Sequence, residues 1–256
     1  MTATLLARRV VERNAMAYRR MWLMFVSAFL EPILYLLSVG IGVGALVGKL
    51  PGPGGHLLTY REFVAPGLLA SSAMMGSVFD TTISFFVKYK YLNTYDAMLA
   101  TPISIADLAV GEVLWGLLRG AIYSAGFFAV MAAFGMLQSW WSLLCVPVTL
   151  LVGFAFAGVG LGATTFMRSW TDFDYVNGAV FPMFLFSATF FPLSRYPEAV
   201  QSIVNWTPLY QGVALERALS VGALSGSLVL RALYLAVLGT LGLQLAIRRL
   251  GNLLQP

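Results

Sequence analysis

The sequence predicts an all-α polytopic membrane protein built as a single domain, and three observations support this. First, 59% of its 256 residues are hydrophobic and 11% are charged, against about 45–50% and about 25% in soluble domains. Second, the apolar residues fall into long runs, each able to cross about 30 Å of hydrocarbon as a helix. Third, the basic residues concentrate at the chain ends and in short loops, as membrane topology requires.

The N-terminal segment, 1 to 21, is predicted to form an amphipathic helix on the inner membrane surface. Its five arginines fall on one arc of a helix and most of its apolar side chains on another, so the arginines would contact lipid phosphates. The alternative is a plain basic flank. The apolar run that follows is too long for a signal peptide and lacks a clear cleavage site, so it is predicted to remain as the first span.

Six spans are predicted between residues 22 and 247, because each needs roughly 20 apolar residues. Six spans place both termini on one side of the membrane. That side carries ten basic residues and the opposite loops carry four, which predicts cytoplasmic termini and a cytoplasmic tail at 248 to 256. The predicted spans are 22 to 47, 63 to 87, 107 to 135, 142 to 167, 173 to 192 and 227 to 247.

A polar interruption, YLNTYDAMLATPIS at 91 to 104, lies between the second and third spans. Thr94 can cap a short helix running through residue 100, with Asp96 near the positive end of that helix. Ser104 is then predicted to cap the third span, with Asp107 three residues later in a capping box.

The short helix carries an apolar patch formed by Tyr95, Met98 and Leu99. No intrachain core to receive this patch is visible in the sequence. The patch therefore predicts a docking surface for another protein. The alternative is that it lies on the membrane surface.

Between the fifth and sixth predicted spans, residues 191 to 224 are too apolar for a free loop and too interrupted to span again. Pro197 and Pro208 suit first-turn positions of two short helices, with Asn205 or Thr207 capping the second. This predicts two re-entrant helices in the outer leaflet, and a mobile lid is the alternative. Tyr210 and Glu216 lie in the second helix.

Four ionisable residues lie within predicted spans: Glu31, Asp80, Glu112 and Arg119. Such groups cost several kcal/mol unless they are paired or wetted, so they are candidates for a translocation path or an intramembrane polar network. The structural alternative is that the acids are neutral or pair with Arg119. Glu112 and Arg119 are seven residues apart, two turns along one face, so each is expected to need a different partner.

Several function classes find no support in the sequence. GVGALVGKL at 42 to 50 lacks the first glycine and the final Ser or Thr of a phosphate-binding loop. One cysteine, Cys145, allows neither an internal disulfide nor a thiol metal cluster. No nucleophile with a base is apparent, so we expect no enzyme activity and no cofactor in this chain. Topology accounts for the basic charge, so nucleic acid is not an expected partner. Glycine pairs at helical spacing, 116 with 120 and 158 with 162, predict close helix packing.

Four blocks of the sequence resemble the integral-membrane permeases of the ABC-2 type. Within that family the chain most resembles permeases that export nodulation-factor-like lipo-oligosaccharides, and their drug-exporting relatives. The likeness covers nearly the whole chain, and its last third is the most specific part. The blocks are LEPILYLLSVGIGVG at 30 to 44, YLNTYDAMLATPIS at 91 to 104, GEVLWGLLRG at 111 to 120, and FLFSATFFPLSRYP through TPLYQGVALERAL at 184 to 219.

The resemblance implies a homodimer or heterodimer of six-span subunits in the bacterial inner membrane, with two separate ATPase subunits beneath that bind ATP and Mg. The loop helix with Tyr95, Asp96, Met98 and Leu99 would be the coupling helix that seats in the ATPase. The segment 193 to 222 would form the extracellular re-entrant helices. Drug efflux by the same machine and ATP-independent secondary transport are the rival functions, although no internal repeat typical of a secondary transporter is seen.

Overall fold

The computed structural model describes residues 3 to 18, 30, 33 to 38, 40 and 42 to 254. In this part of the chain nearly all regular structure is helical, which confirms the predicted fold class. A π-helical segment, Asp80–Ser84, joins the second and third helices. The α-helices are α1 (Ala3–Tyr18), α2 (Tyr60–Phe79), α3 (Phe85–Lys90), α4 (Thr94–Leu99), α5 (Ile105–Ala133), α6 (Cys145–Thr164), α7 (Phe173–Leu185), α8 (Glu198–Trp206), α9 (Pro208–Val221) and α10 (Ser227–Leu254).

Four helical segments of the described chain are long and apolar enough to cross a membrane. They coincide with the second, third, fourth and sixth predicted spans, which are thereby confirmed as helices of spanning length. The last of them runs beyond the predicted end at 247, so the predicted tail is helical as far as Leu254. The four segments are Tyr60–Lys90, Ile105–Ala133, Trp140–Thr164 and Ser227–Leu254.

The first and fifth predicted spans are not confirmed, so the total of six spans stays a prediction. Of residues 22 to 47, the structure describes only 30, 33 to 38, 40 and 42 to 47, so no continuous helix of spanning length is described there. The fifth predicted span, 173 to 192, is helical only over Phe173–Leu185. Its 13 residues rise about 20 Å at roughly 1.5 Å each, which is less than the hydrocarbon thickness. The chain leaves the helix before Ala188, whose φ of 55° is left-handed.

Helix α6 lies at the centre of the described bundle and packs against α2, α5, α9 and α10. Its closest neighbour is α10, because glycines from both helices meet. A Cβ atom at Gly158 would clash with the Gly239 carbonyl oxygen, and one at Gly162 would lie 3.3 Å from the Gly242 oxygen. The predicted packing role of the 158 and 162 pair is confirmed. Among the described residues, nothing lies within 4 Å of a Cβ atom at Gly120, and only Asp80 lies that close to one at Gly116, so no helix packs closely on this pair within the described bundle.

Helix α1 confirms the predicted amphipathic helix, and its buried face packs on α5. Ala7 and Val10 are fully buried, and a Cβ atom at Gly111 of α5 would lie 2.5 Å from the Val10 Cβ. On the opposite face Arg8 and Arg9 are exposed and contact Glu12 at 2.9 and 3.1 Å. Because such exposed pairs contribute little, contact with α5 is what positions α1.

The two predicted short helices between α7 and α10 are confirmed as α8 and α9. Pro208 is the first residue of α9, as predicted, and Thr207 is the residue before it. Pro197 precedes α8 instead of lying in its first turn. Helix α9 packs among α2, α6 and α10, and Gly212 brings it against Val152 of α6.

A small antiparallel hairpin was missed in the sequence. Strands β1 (Leu50–Pro51) and β2 (Leu57–Leu58) pair around the turn PGPGGH. Strands of two residues are too short to show the alternation of apolar and polar side chains that identifies a strand in a sequence. Only the glycines and prolines of the turn indicated a change of chain direction.

Candidate functional site

The helical run Tyr60–Lys90 separates two ends of the molecule. Its 31 residues correspond to about 46 Å at roughly 1.5 Å per residue. The β-hairpin lies where this run begins, and its turn contacts α9. Helix α4 follows where the run ends. We call these the α9 end and the α4 end.

Helix α4 exists as predicted, but it does not begin as predicted. Asn93, with a left-handed φ of 46°, precedes the helix and gives it no side-chain cap, while Thr94 is already inside the helix. Thr101 ends the turn by donating its hydroxyl to the Met98 carbonyl at 2.6 Å. The predicted capping box of Ser104 and Asp107 is confirmed at the start of α5.

The expectation that the α4 patch has no intrachain core is wrong. Tyr95 is fully buried, and its ring lies 4.7 Å from that of Phe85 in α3. Met98 and Leu99 are partly buried against the same apolar cluster, to which α5, α6 and α10 also contribute. This core was invisible in the sequence because it is completed by residues of α6 and α10, which lie far along the chain from α4. The exposed surface of α4 includes Asp96 and Ala97.

A buried polar cluster lies next to Tyr95 and is formed by Asn14, Lys88 and Glu112, which we call the Lys88 cluster. The Lys88 Nζ lies 2.7 Å from Glu112 Oε2 and 3.3 Å from Asn14 Oδ1. The Asn14 amide donates to Glu112 Oε1 at 3.2 Å. Asn14, Lys88 and Glu112 are 1%, 8% and 4% exposed, respectively. One cluster thus joins α1, α3 and α5.

The Tyr95 hydroxyl belongs to the same buried region. Burial, together with the nearby Glu112 carboxylate, raises the pKa of Tyr95 well above its usual value of 10. Tyr95 is therefore neutral at physiological pH, and α4 places no additional charge beside the Lys88 cluster.

A second buried ion pair lies farther along α5. Arg119 Nη2 contacts Asp80 Oδ1 at 2.6 Å, and the Arg119 guanidinium lies 4.9 Å from the Tyr18 ring of α1. The prediction that Glu112 and Arg119 have different partners is correct. Of the four predicted intramembrane residues the structure places three in two ion pairs, and Glu31 lies outside the described residues.

Asp80 opens the π-helical segment, which is held by hydroxyl groups. Thr81 and Thr82 donate to the carbonyls of Ser77 and Val78 at 2.7 and 2.6 Å. Thr164 of α6 donates to the Thr81 carbonyl at 2.8 Å. Single π-helical turns recur at functional sites because they redirect side chains within a helix. Here the turn lies at the residue that binds Arg119.

Asn14 and Lys88 are functional-site candidates that sequence reasoning missed. The sequence marks Lys88 only as one of the ten basic residues that predict topology. A signal for Asn14 did exist: it follows Ala7 and Val10 at seven and four residues, on the face of α1 that is otherwise apolar. A polar residue in such a position needs a buried partner.

At the α9 end the predicted residues fall on different sides of the segment. Glu216 is fully buried and accepts a hydrogen bond from Thr149 of α6 at 2.9 Å. Arg217 turns the other way and donates to backbone carbonyls, so the adjacent charges do not pair. Tyr210 is half-buried and faces Arg231 of α10. Among the described residues no group of three or more His, Cys, Asp or Glu side chains could hold a metal.

Comparison with known proteins agrees with this architecture. The family described as ABC-2 type transporter matches residues 6–219. Nodulation protein J of Rhizobium leguminosarum bv. trifolii is 33% identical over 216 residues, covering 83% of this chain and 80% of the relative. Nodulation protein J of Rhizobium meliloti (strain 1021) is 30% identical over 84% of this chain and 80% of the relative. Inner membrane transport permease YadH of Escherichia coli (strain K12) is 24% identical over 75% and 73%. The chain therefore belongs to the ABC-2 type transporter family.

Proposed function

We propose that this chain is the permease subunit of an ATP-driven exporter that moves a glycolipid, lipo-oligosaccharide or polysaccharide-type substrate outward across the bacterial inner membrane. The placement of α4 carries the proposal. Its Tyr95 is anchored in the core of the bundle, while Asp96 is exposed. A short helix of this kind offers a surface to a partner protein and a firm connection to the membrane helices.

The contacts of α4 indicate which helices would move if a partner protein displaced α4. Tyr95 touches Phe85 of α3 and shares an apolar cluster with residues of α5 and α10. The Lys88 cluster then connects α3 and α5 to α1. Because packed interiors transmit displacement without much compression, a partner that moves α4 would move these helices together. Closure of an ATPase dimer would supply that movement.

The energy source would be a separate protein. The sequence has no phosphate-binding loop of its own, so ATP and Mg would bind to two ATPase subunits docked at the α4 end. A second permease copy, identical or related, would complete the transporter. The basic residues of the chain favour a cytoplasmic position for the α4 end and for both termini.

The resemblance of the sequence to permeases that export lipo-oligosaccharides favours a saccharide-bearing lipid as substrate, and relatives named Nodulation protein J are consistent with it. Drug efflux is the second candidate within the same class, and it would use the same coupling through α4.

Co-purification tests the proposal at α4. The tagged chain is isolated from its native membrane in mild detergent, and a stoichiometric subunit with a phosphate-binding loop is expected by mass spectrometry. Asp96→Lys should reduce the amount of this subunit at least tenfold, because it reverses charge on the exposed face of α4. Asp174→Lys is the matched control, since Asp174 is also exposed and follows Phe173, which packs on Phe86 near the α4 end.

If Asp96→Lys recovers as much ATPase as the parent chain does, α4 is not part of the ATPase-binding surface. A preparation that retains the permease but carries no ATPase would contradict the proposal as a whole and favour ATP-independent transport. Cargo would then be identified by the lipids and saccharides that accumulate inside cells lacking the permease.

A further inference from the structure

A cavity of about 500 Å³ opens at the α9 end. Its walls come from the β-hairpin turn, the non-helical segment after α7, helix α9 and the first turn of α10. Small residues, among them Gly52, Ala188 and Ala214, line much of this wall and leave the space open. The volume lies within the range of about 300–1,000 Å³ that is usual for small-molecule sites.

Two arginines, Arg217 and Arg231, line this cavity, and none of its lining residues is an Asp or Glu. Among the described residues neither arginine takes part in an ion pair. The nearest acid along the chain, Glu216, points into the core and accepts its hydrogen bond from Thr149. The cavity therefore concentrates positive charge without a protein carboxylate to balance it.

Arg217 is held rigidly at the wall of the cavity. Its Nε donates to the Phe63 carbonyl at 3.0 Å, and its Nη2 donates to the carbonyls of Ala188 and Thr189 at 2.9 and 3.3 Å. Its guanidinium carbon lies 3.7 Å from the centre of the Phe63 ring. Carbonyl dipoles and a ring face orient the guanidinium but do not neutralise its charge.

Arg231 is oriented by a second set of contacts. Its Nη1 donates to the Gln211 side-chain oxygen at 2.6 Å, and its guanidinium lies 5.5 Å from the centre of the Tyr210 ring. Both cations are thus fixed before any ligand arrives. Guanidinium groups that are already oriented suit phosphate and carboxylate oxygens. Arg231 keeps Nε and Nη2 for two parallel hydrogen bonds, whereas Arg217, whose Nε and Nη2 hold carbonyls, offers Nη1.

We propose that this cavity, which we call the arginine cavity, binds the anionic head group, phosphate or carboxylate, of a lipid or glycolipid, with Arg217 and Arg231 as its charged ligands. The head group would belong either to the exported substrate or to a lipid of the surrounding bilayer. The first case rests on the proposed export function and narrows its substrate to an anionic glycolipid.

Calorimetric binding to the purified permease without its ATPase tests the proposal. Two matched probe pairs are used, each differing in charge: dihexanoyl phosphatidylglycerol against dihexanoyl phosphatidylcholine, and N-acetylglucosamine 1-phosphate against N-acetylglucosamine. In at least one pair, the anionic probe should bind about tenfold more tightly than the probe without net charge. Arg231→Gln should abolish this preference, whereas Arg61→Gln should keep it, because Arg61 lines a different cavity.

Arg231 is the better position for the test, because Arg217 also holds three backbone carbonyls and its loss could unfold the segment. Ala214→Leu provides a second variant. It fills the cavity without changing its charge and should weaken the binding of the anionic probe at least tenfold. Preference for the sugar phosphate would assign the cavity to the substrate, and preference for the anionic lipid alone would assign it to a bilayer lipid. Equal binding within both pairs, no binding of any probe, or an unchanged preference in Arg231→Gln would overturn the proposal.

Because neither ATP nor transport enters the binding measurement, its outcome is separate from that of the co-purification test. A permease with no ATPase could still bind the anionic probe, and an ATP-driven permease could fail to bind it.

Discussion

At the scale of single residues, the Lys88 cluster shows how a charged pair is accommodated between helices. Lys88 and Glu112 are buried at 2.7 Å, where the loss of hydration is expensive. Asn14 offsets part of that cost, because its amide contacts both partners. The pair therefore depends on a residue from a third helix.

We expect Lys88→Met to lower the free energy of unfolding by about 3–5 kcal/mol, because it leaves the Glu112 carboxylate buried and unpaired. The double variant Lys88→Met with Glu112→Leu should recover most of this loss, since no unpaired charge remains. Thermal unfolding in detergent measures both. Lys90→Met is the control, because Lys90 is exposed and a surface change of this kind is usually within about 0.5 kcal/mol. A double variant less stable than Lys88→Met would contradict the account.

At the scale of elements, apolar runs and the capping box at Ser104 could be predicted, whereas the start of α4 and the packing partners could not. The helices of spanning length, the capping box at Ser104 and the two short helices α8 and α9 follow from local patterns. The burial of Tyr95 does not, because the core around it is assembled from α3, α5, α6 and α10. The short length of α7 also escaped prediction, since nothing local to FLFSATFFP marks Ala188 as left-handed.

The contact between α6 and α10 can be tested through glycine. We expect Gly158→Ala to destabilise the protein strongly, because the added methyl group would meet the Gly239 carbonyl and the two helices would have to separate. Gly120→Ala should be neutral or stabilising by up to about 1 kcal/mol, because the position is helical and no described residue lies within 4 Å of the added methyl group. Thermal unfolding of the two variants compares them directly. Equal melting temperatures for Gly158→Ala and Gly120→Ala would show that close packing of α6 on α10 does not contribute to stability.

At the scale of the whole molecule, the two ends carry different chemistry. The α4 end has a short anchored helix, the Lys88 cluster and an exposed acid. The α9 end has a hairpin, a helix inserted among the spans and the arginine cavity. The proposed partner surface and the proposed ligand cavity are thus separated by about 46 Å of helix, at roughly 1.5 Å per residue.

The orientation of these ends can be determined by labelling. Cys145 is the only cysteine of the sequence and is buried, so it should not react with a membrane-impermeant maleimide. Asp96→Cys should be labelled only in inside-out vesicles, and Ser225→Cys only in intact spheroplasts, because basic residues favour a cytoplasmic α4 end. The reverse labelling pattern would show that the α4 end lies outside the cytoplasm, which would contradict the proposed orientation and the proposed direction of transport.

The hydrogen bond between Asn14 and Glu112 has a consequence for how the protein is made. The two residues are 98 positions apart, so α1 leaves the ribosome long before its partner in α5 has been synthesised. Helix α1 therefore remains without its packing partner while the following segments are made, and α5 then supplies that partner. Helix α1 is thus made before α5 but acquires its buried hydrogen bond only after α5 has been made.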